Sequence, residues 1–223
     1  MKTRLFCLIC AIFLVACGNP EQASVPSRSQ TVAGGTPASA QQKNEAAPAK
    51  IKGLYIGMDI LDVPNAMMEI LADRQLSDFS FTDPIQVGDG TQCVLMYTKP
   101  FLRAIQARMR ERYGEAKAQA KIDEEILTSC VNSDGVLIAK SDNRGRVNRI
   151  EFNDTKDIFD TAAIPPSEFA KKLSGEYHIP DMQPNEAKTS WSYVGADGAK
   201  IMVDGREVLG IPMLRLYMSR QEP

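Results

Sequence analysis

Met213-Leu214-Arg215-Leu216-Tyr217-Met218-Ser219-Arg220 is the run that sets the fold class. Leu214, Leu216 and Met218 alternate with Arg215, Tyr217 and Ser219, the period of two that sends apolar side chains to one face of a strand. Two shorter runs precede it, Trp191 to Val194 and Ala199 to Asp204, with Asp197-Gly198 as the first turn and Gly205 to Pro212 as the second connection. Together they read as an antiparallel meander with one apolar face.

Upstream, Pro165-Pro166 opens this unit, and Phe169 and Leu173 lie on a helix expected over Ser167 to Tyr177. Ile179-Pro180 ends that helix, because a residue before proline avoids helical angles. Earlier still, Val136 to Lys140 and Val147 to Phe152 flank Ser141-Asp142-Asn143-Arg144-Gly145-Arg146, a hairpin loop whose Asn and Gly tolerate positive φ. Ile150 and Phe152 alternate there with Arg149 and Glu151, so one face is buried and the other wet. Helices are expected after Pro100, with Leu102, Ile105 and Met109 inward and Gly114 as a stop, and over Ala116 to Leu127. Phe79 to Phe81 and Val94 to Tyr97 read as short strands separated by turns at Asp83-Pro84 and Gly88-Asp89-Gly90. Val63, Met67, Ile70 and Leu71 form a helical stripe with Asp62 as N-cap, and Ile51 to Ile56 reads as a strand. Helix followed by antiparallel strands thus occurs twice. The expectation is an α+β fold with helices on one face of an antiparallel sheet, residues 51–160 forming one unit and 161–223 a smaller helix-plus-three-strand unit, either separate or part of the same domain, with the joining of their sheets left open.

The N-terminus carries an address. Lys2 and Arg4 precede eleven apolar residues, Leu5 to Val15, too few to span a membrane as a helix. Leu14-Val15-Ala16-Cys17 resembles the lipobox of bacterial lipoproteins. The resemblance implies that residues 1–16 are a signal peptide and that Cys17 becomes an acylated first residue. Gly18 in place of Asp implies the outer membrane. No cofactor is expected beyond the diacylglycerol and N-acyl lipid on Cys17, and two or more acyl chains give stable attachment. From Gly18 to Lys50 the chain is rich in Ala, Ser, Pro, Gln and Gly and lacks aromatic residues, so residues 17–50 read as a lipidated cysteine and disordered tether. Its root-mean-square span is about 30 Å.

Removal of residues 1–16 takes away two basic residues and no acidic one, so the formal charge goes from −2 to −4. That balance argues against nucleic acid as a partner. Of five cysteines, Cys7 and Cys10 leave with the signal and Cys17 is taken by lipid. Cys93 and Cys130 remain, an even pair in an exported protein; a disulfide between them is the expectation, two separately buried thiols the alternative.

A weaker resemblance lies at the start of the folded part. Gly53-Leu54-Tyr55-Ile56-Gly57-Met58-Asp59, entering a helix with Val63 inside it, is similar to small lipoprotein domains related to the outer-membrane assembly component SmpA and to beta-lactamase inhibitor protein. The resemblance implies helices packed on an antiparallel sheet and a role in binding proteins. It covers about fifteen residues, and no binding residues are carried over.

Catalytic constellations are hard to assemble from this chain. His178 is the only histidine, so a serine triad would have to use it, and no G-x-S-x-G elbow exists. A single histidine and two distant cysteines fall short of a zinc set, and no metal site is expected. Gly34-Gly35 and Gly88-Asp89-Gly90 lack the strand-loop-helix context of a phosphate loop. Glu124 and Glu125, or Glu111 and Glu115, are the candidate carboxylate pairs for glycan hydrolysis, and all read as helix surface. Lys99, Arg103, Arg108, Arg110 and Arg112 crowd one helix. They form either a basic stripe for anionic lipid or an acidic protein, or a solvated face paired with nearby acids. Trp191 and Tyr193 share a strand face, as core or as an aromatic platform. The leading expectation is a noncatalytic, lipid-anchored envelope protein that binds another envelope protein or a cell-wall component. An envelope hydrolase using carboxylates or His178, and a membrane-held enzyme inhibitor, are the alternatives.

Overall fold

The computed structural model describes residues 48–161, 164–208 and 211–220. The signal segment, Cys17 and nearly all of the expected tether lie outside the described residues. The elements run, after a 3-10 turn at Ile60–Asp62, as α1 (Val63–Asp73), β1 (Phe79–Phe81), β2 (Ile85–Gln86), β3 (Gln92–Thr98), α2 (Lys99–Tyr113), α3 (Glu115–Asn132), β4 (Leu137–Ser141) and β5 (Val147–Phe152). They continue as α4 (Thr155–Phe159), α5 (Pro166–Tyr177), β6 (Gln183–Pro184), β7 (Ser190–Val194), β8 (Ala199–Val208) and β9 (Ile211–Arg220).

The fold is α+β. The nine strands form one antiparallel sheet in the order β1-β3-β4-β5-β9-β8-β7-β6, with β2 beside β1 along the edge of β3. The last strand is inserted in the middle: β9 pairs with β5 through Ile150↔Met218 and Phe152↔Leu216, and with β8 through Ile201↔Met218 and Val203↔Leu216. One sheet therefore runs through both of the helix-and-strand units read from the sequence.

The first face of this sheet holds the main core. Val94, Met96, Leu137, Ala139, Ile150, Phe152, Ile201, Val203, Leu216 and Met218 are all buried there under α1, α4 and α5. Phe159 of α4 stands edge-on to Phe152 and Phe169, with ring centroids 5.1 and 5.4 Å apart. Such contacts add about 0.5–1.5 kcal/mol each beyond the area they bury. The carbonyl end of α4 is satisfied by cations from neighbouring helices: Lys172 Nζ donates to Phe159 O at 2.7 Å and Arg74 Nε to Asp157 O at 3.1 Å.

The α2–α3 hairpin lies on the opposite face, so the helices cover both sides of the sheet rather than one. Side chains alternate along β3, and Cys93 and Leu95 point away from Val94 and Met96; Cys130 of α3 packs on them and on Ile138. Cys93 and Cys130 are joined as a disulfide with Cα atoms 6.1 Å apart. The hairpin has a small core of its own, Ile105, Met109, Ala118 and Ile122. Thr98 Oγ1 caps α2 by accepting from Phe101 N, and Gly114, at φ 72°, turns the chain between the helices.

Local differences from the sequence reading have local causes. Ile51 to Ile56 is no strand: Lys52 and Gly53 both take positive φ, and Ile51 and Leu54 exchange backbone hydrogen bonds of 2.9 and 3.0 Å across a tight turn. Asp59, not Asp62, supplies the side-chain cap, accepting from Leu61 N at 3.0 Å at the head of the 3-10 turn. The connection placed at Gly205 is strand, and pairing continues to Val208↔Ile211. Gly205 is required by packing, because a Cβ there would stand 2.5 Å from Pro166 Cγ at the start of α5.

Candidate binding face

The second face of the sheet divides in two. The α2–α3 hairpin packs on β3 and β4, whereas beyond β5 no helix covers this face among the described residues. Strand register fixes what is displayed there. One row across the strands reads Cys93, Lys140, Arg149, Ser219 and Lys200; the next reads Leu95, Ile138, Glu151, Tyr217 and Met202. Cys93, Leu95 and Ile138 in these rows lie under the hairpin, and the residues from β5 onward are mostly polar; their neighbours along each strand build the main core.

Glu151 occupies the border between covered and open halves, and it is only 2% exposed. An ionised carboxylate in such a place needs partners. Arg149 Nε lies 2.7 Å from its Oε1, and Ser133 Oγ donates to the same oxygen at 2.8 Å. Lys140 Nζ donates to Ser133 Oγ at 2.9 Å and to Val131 O at 3.1 Å, closing the end of α3. Burial pushes the Lys140 ammonium below the usual lysine range, and Glu151 opposes the shift. Ser133 takes a left-handed conformation, φ 60°, which ends α3 and brings its hydroxyl to the carboxylate.

Past this network the open face forms a concavity of about 470 Å³ bounded by Arg149, Lys200, Met202, Asp204, Tyr217 and Ser219. A second hollow, about 270 Å³, lies further along β9, between the start of α2, the α3–β4 turn and β5, with Phe101, Asp134, Asn153, Asp154 and Arg215 on its walls. Arg215 Nη1 donates to Tyr217 Oη at 3.1 Å between the two. Asn153 Nδ2 donates to Ser133 O and Gly135 O, which fixes its amide orientation and leaves Oδ1 buried without a partner. Burial raises the Asp154 carboxyl above the usual range, opposed by the Lys156 N–H that it accepts in capping α4.

The residues singled out from sequence are dispersed. Lys99, Arg103, Arg108, Arg110 and Arg112 are all exposed on α2. Arg108 pairs with Glu125 of α3 at 2.6 Å, Arg110 with Glu115 at 3.3 Å, Lys99 Nζ donates to Ser77 O at 2.6 Å, and Arg112 lies over the Tyr113 ring. The stripe is thus tied largely to its own surroundings. Exposed His178, at φ 52°, caps α5 in a left-handed conformation, away from either hollow. Glu124 pairs with Lys121, and neither it nor Glu111, Glu115 or Glu125 lines a hollow described above. Trp191 and Tyr193 are half-buried against the main core on the first face.

Arg149, Lys200 and Ser219 were not among those candidates. Their signal was present as polar alternates on three separate runs, but only the pairing of β5 with β9 and β9 with β8 brings the runs together. No helix among the described residues is long and apolar enough to cross a membrane, and no group of three or more His, Cys, Asp or Glu among them is placed to hold a metal ion. Comparison with protein-family models, curated proteins and solved structures returned no match for this chain.

Proposed function

We propose that this chain is a lipid-anchored protein of the bacterial envelope whose α+β unit is a noncatalytic binding module, with the open half of the second sheet face as its contact surface. The observation that carries the reading is that face: a broad, polar and partly aromatic surface left uncovered beside a helical hairpin, its border held by the buried Glu151 network. The Leu14-Val15-Ala16-Cys17 run supports the anchor, with the outer membrane as the location, and the Cys93–Cys130 disulfide suits an oxidising compartment. The partner is an envelope protein or a cell-wall component. A membrane-held enzyme inhibitor is the special case in which the partner is an enzyme, and the SmpA-like and inhibitor-like run at Gly53 to Asp59 speaks for it.

Two experiments test the reading. Labelling cells with a palmitate analogue should mark the protein and leave Cys17→Ser unlabelled and released from the membrane fraction; equal label on both removes the anchor. Photo-crosslinkers placed at Met202 and Tyr217 in native cells should capture a defined partner that crosslinkers at Arg103 do not. Capture from both positions alike, or from neither, counts against the face.

A further inference from the structure

We infer that the concavity over β5, β9 and β8 contains a phosphate seat, formed by Arg149 and Lys200 on either side of Ser219. The inference rests on the reading of this face as the contact surface and is independent of the anchor. Register places the three residues side by side, Arg149↔Ser219↔Lys200, on adjacent strands about 4.8 Å apart. Two cations therefore flank a hydroxyl, and all three line one hollow.

Arg149 is positioned for this. Its Nε is held by Glu151, a carboxylate buried to 2% exposure whose other donor is Ser133. Fixing a guanidinium through Nε leaves its terminal nitrogens to turn outward, and half of the side chain is exposed. Nothing in the packing of a half-open sheet calls for a buried carboxylate, which costs free energy unless it is fully partnered. Its role is to hold Arg149 in place before a ligand arrives.

Donors converging from three strands suit the oxygens of a tetrahedral phosphate better than a planar carboxylate. The ligand class is accordingly a phosphate monoester, with Met202 and Tyr217 in the adjoining row to receive its carrier.

The test is titration of the mature, isotope-labelled protein in detergent at low ionic strength, following backbone amides and arginine Nε–H resonances by NMR. The probes are inorganic phosphate and glycerol 1-phosphate, with acetate at matched ionic strength as control. Saturable shifts are expected at Arg149, Lys200 and Ser219, with acetate at least fivefold weaker. Lys200→Gln should weaken phosphate binding about tenfold while melting like the parent; Arg149→Gln should weaken it as much and also melt earlier, because it leaves the buried Glu151 without its cation. Glu151→Gln should weaken it too, with the Arg149 Nε–H resonance moved even without phosphate. Equal affinity for acetate, unchanged affinity in Lys200→Gln, or shifts spread over the α2 arginines each overturn the seat. If the seat fails while crosslinkers at Met202 and Tyr217 still capture one partner, only this inference falls; if they capture none, the contact-surface reading falls as well.

Discussion

A Cβ added at Gly135 would overlap Leu95 Cδ1 and stand 3.0 Å from Met96 O, both in a strand packed on two faces. Gly135→Ala should therefore lose about 1–3 kcal/mol, the range for overpacked sites, seen as a lower urea midpoint. Gly175, inside α5 with nothing within 4 Å of the added Cβ, supplies the contrast. Gly175→Ala should gain about 0.5–1 kcal/mol by helix propensity alone. Tyr177 gives a pH signature. Burial raises its phenol from 10.0 to about 12, so the neutral form is favoured in the folded state. Its contribution is complete below pH 10 and is lost as pH rises through 12. Tyr177→Phe should flatten that alkaline decline in thermal melts, and an unchanged slope would show that other groups cause it. At this scale the sequence was legible where few residues are in play: a bridge between Cys93 and Cys130 was the expectation beside two separately buried thiols, and the bridge is what forms. It was not legible where a contact decides: Gly205 looks like a turn residue until Pro166 is seen against it.

Among the elements, the α2–α3 hairpin joins the sheet through few contacts, and the Cys93–Cys130 bond is the strongest of them. The bond closes a loop with a sequence separation of 37, for which the chain-entropy model gives about 4 kcal/mol. Cys93→Ala with Cys130→Ala should lower the urea midpoint accordingly and raise hydrogen exchange in α3 more than in β5 or β9. Uniform exchange across the three would show that the hairpin does not depend on the bond. Both sulfurs belong to fully buried residues, so thiol labelling after reduction requires the hairpin to open. Helices with long apolar stripes, α1, α2 and α5, were legible from their period. The five-residue α4 and two-residue β6 were not, because elements so short carry no period; α4 exists through the Asp154 cap and the placement of Phe159 among Phe152, Phe169 and Tyr177.

Across the whole molecule, β9 makes the sheet indivisible. Removing residues 161–223 leaves Ile150 and Phe152 of β5 without Met218 and Leu216 beside them and strips α5 from the core. A chain ending at residue 160 should show no cooperative unfolding transition by calorimetry; a sharp transition in that fragment would mean that 51–160 is self-sufficient. The division at 161 was readable as a change in composition at Pro165-Pro166, yet composition marks only where an element begins. Which strands pair depends on partners 64 residues apart, as in Phe152↔Leu216, and no local pattern carries that information. For the same reason the proposed binding face was invisible: its polar alternates lie on three separate runs.

The central position of β9 also bears on the order in which the chain can fold as it is made. Synthesis proceeds from the N-terminus, so β1 to β5 and the first three helices emerge while the place beside β5 is still empty. β8 has only β7 to hold it until residues 211–220 arrive between β8 and β5. The long-range pairing that closes the sheet is thus deferred until residues 211–220 have been made, and topologies dominated by distant contacts close slowly. A chain that cannot complete its sheet before β9 appears stays unfolded through most of its synthesis, the condition that the proposed export across a membrane would require.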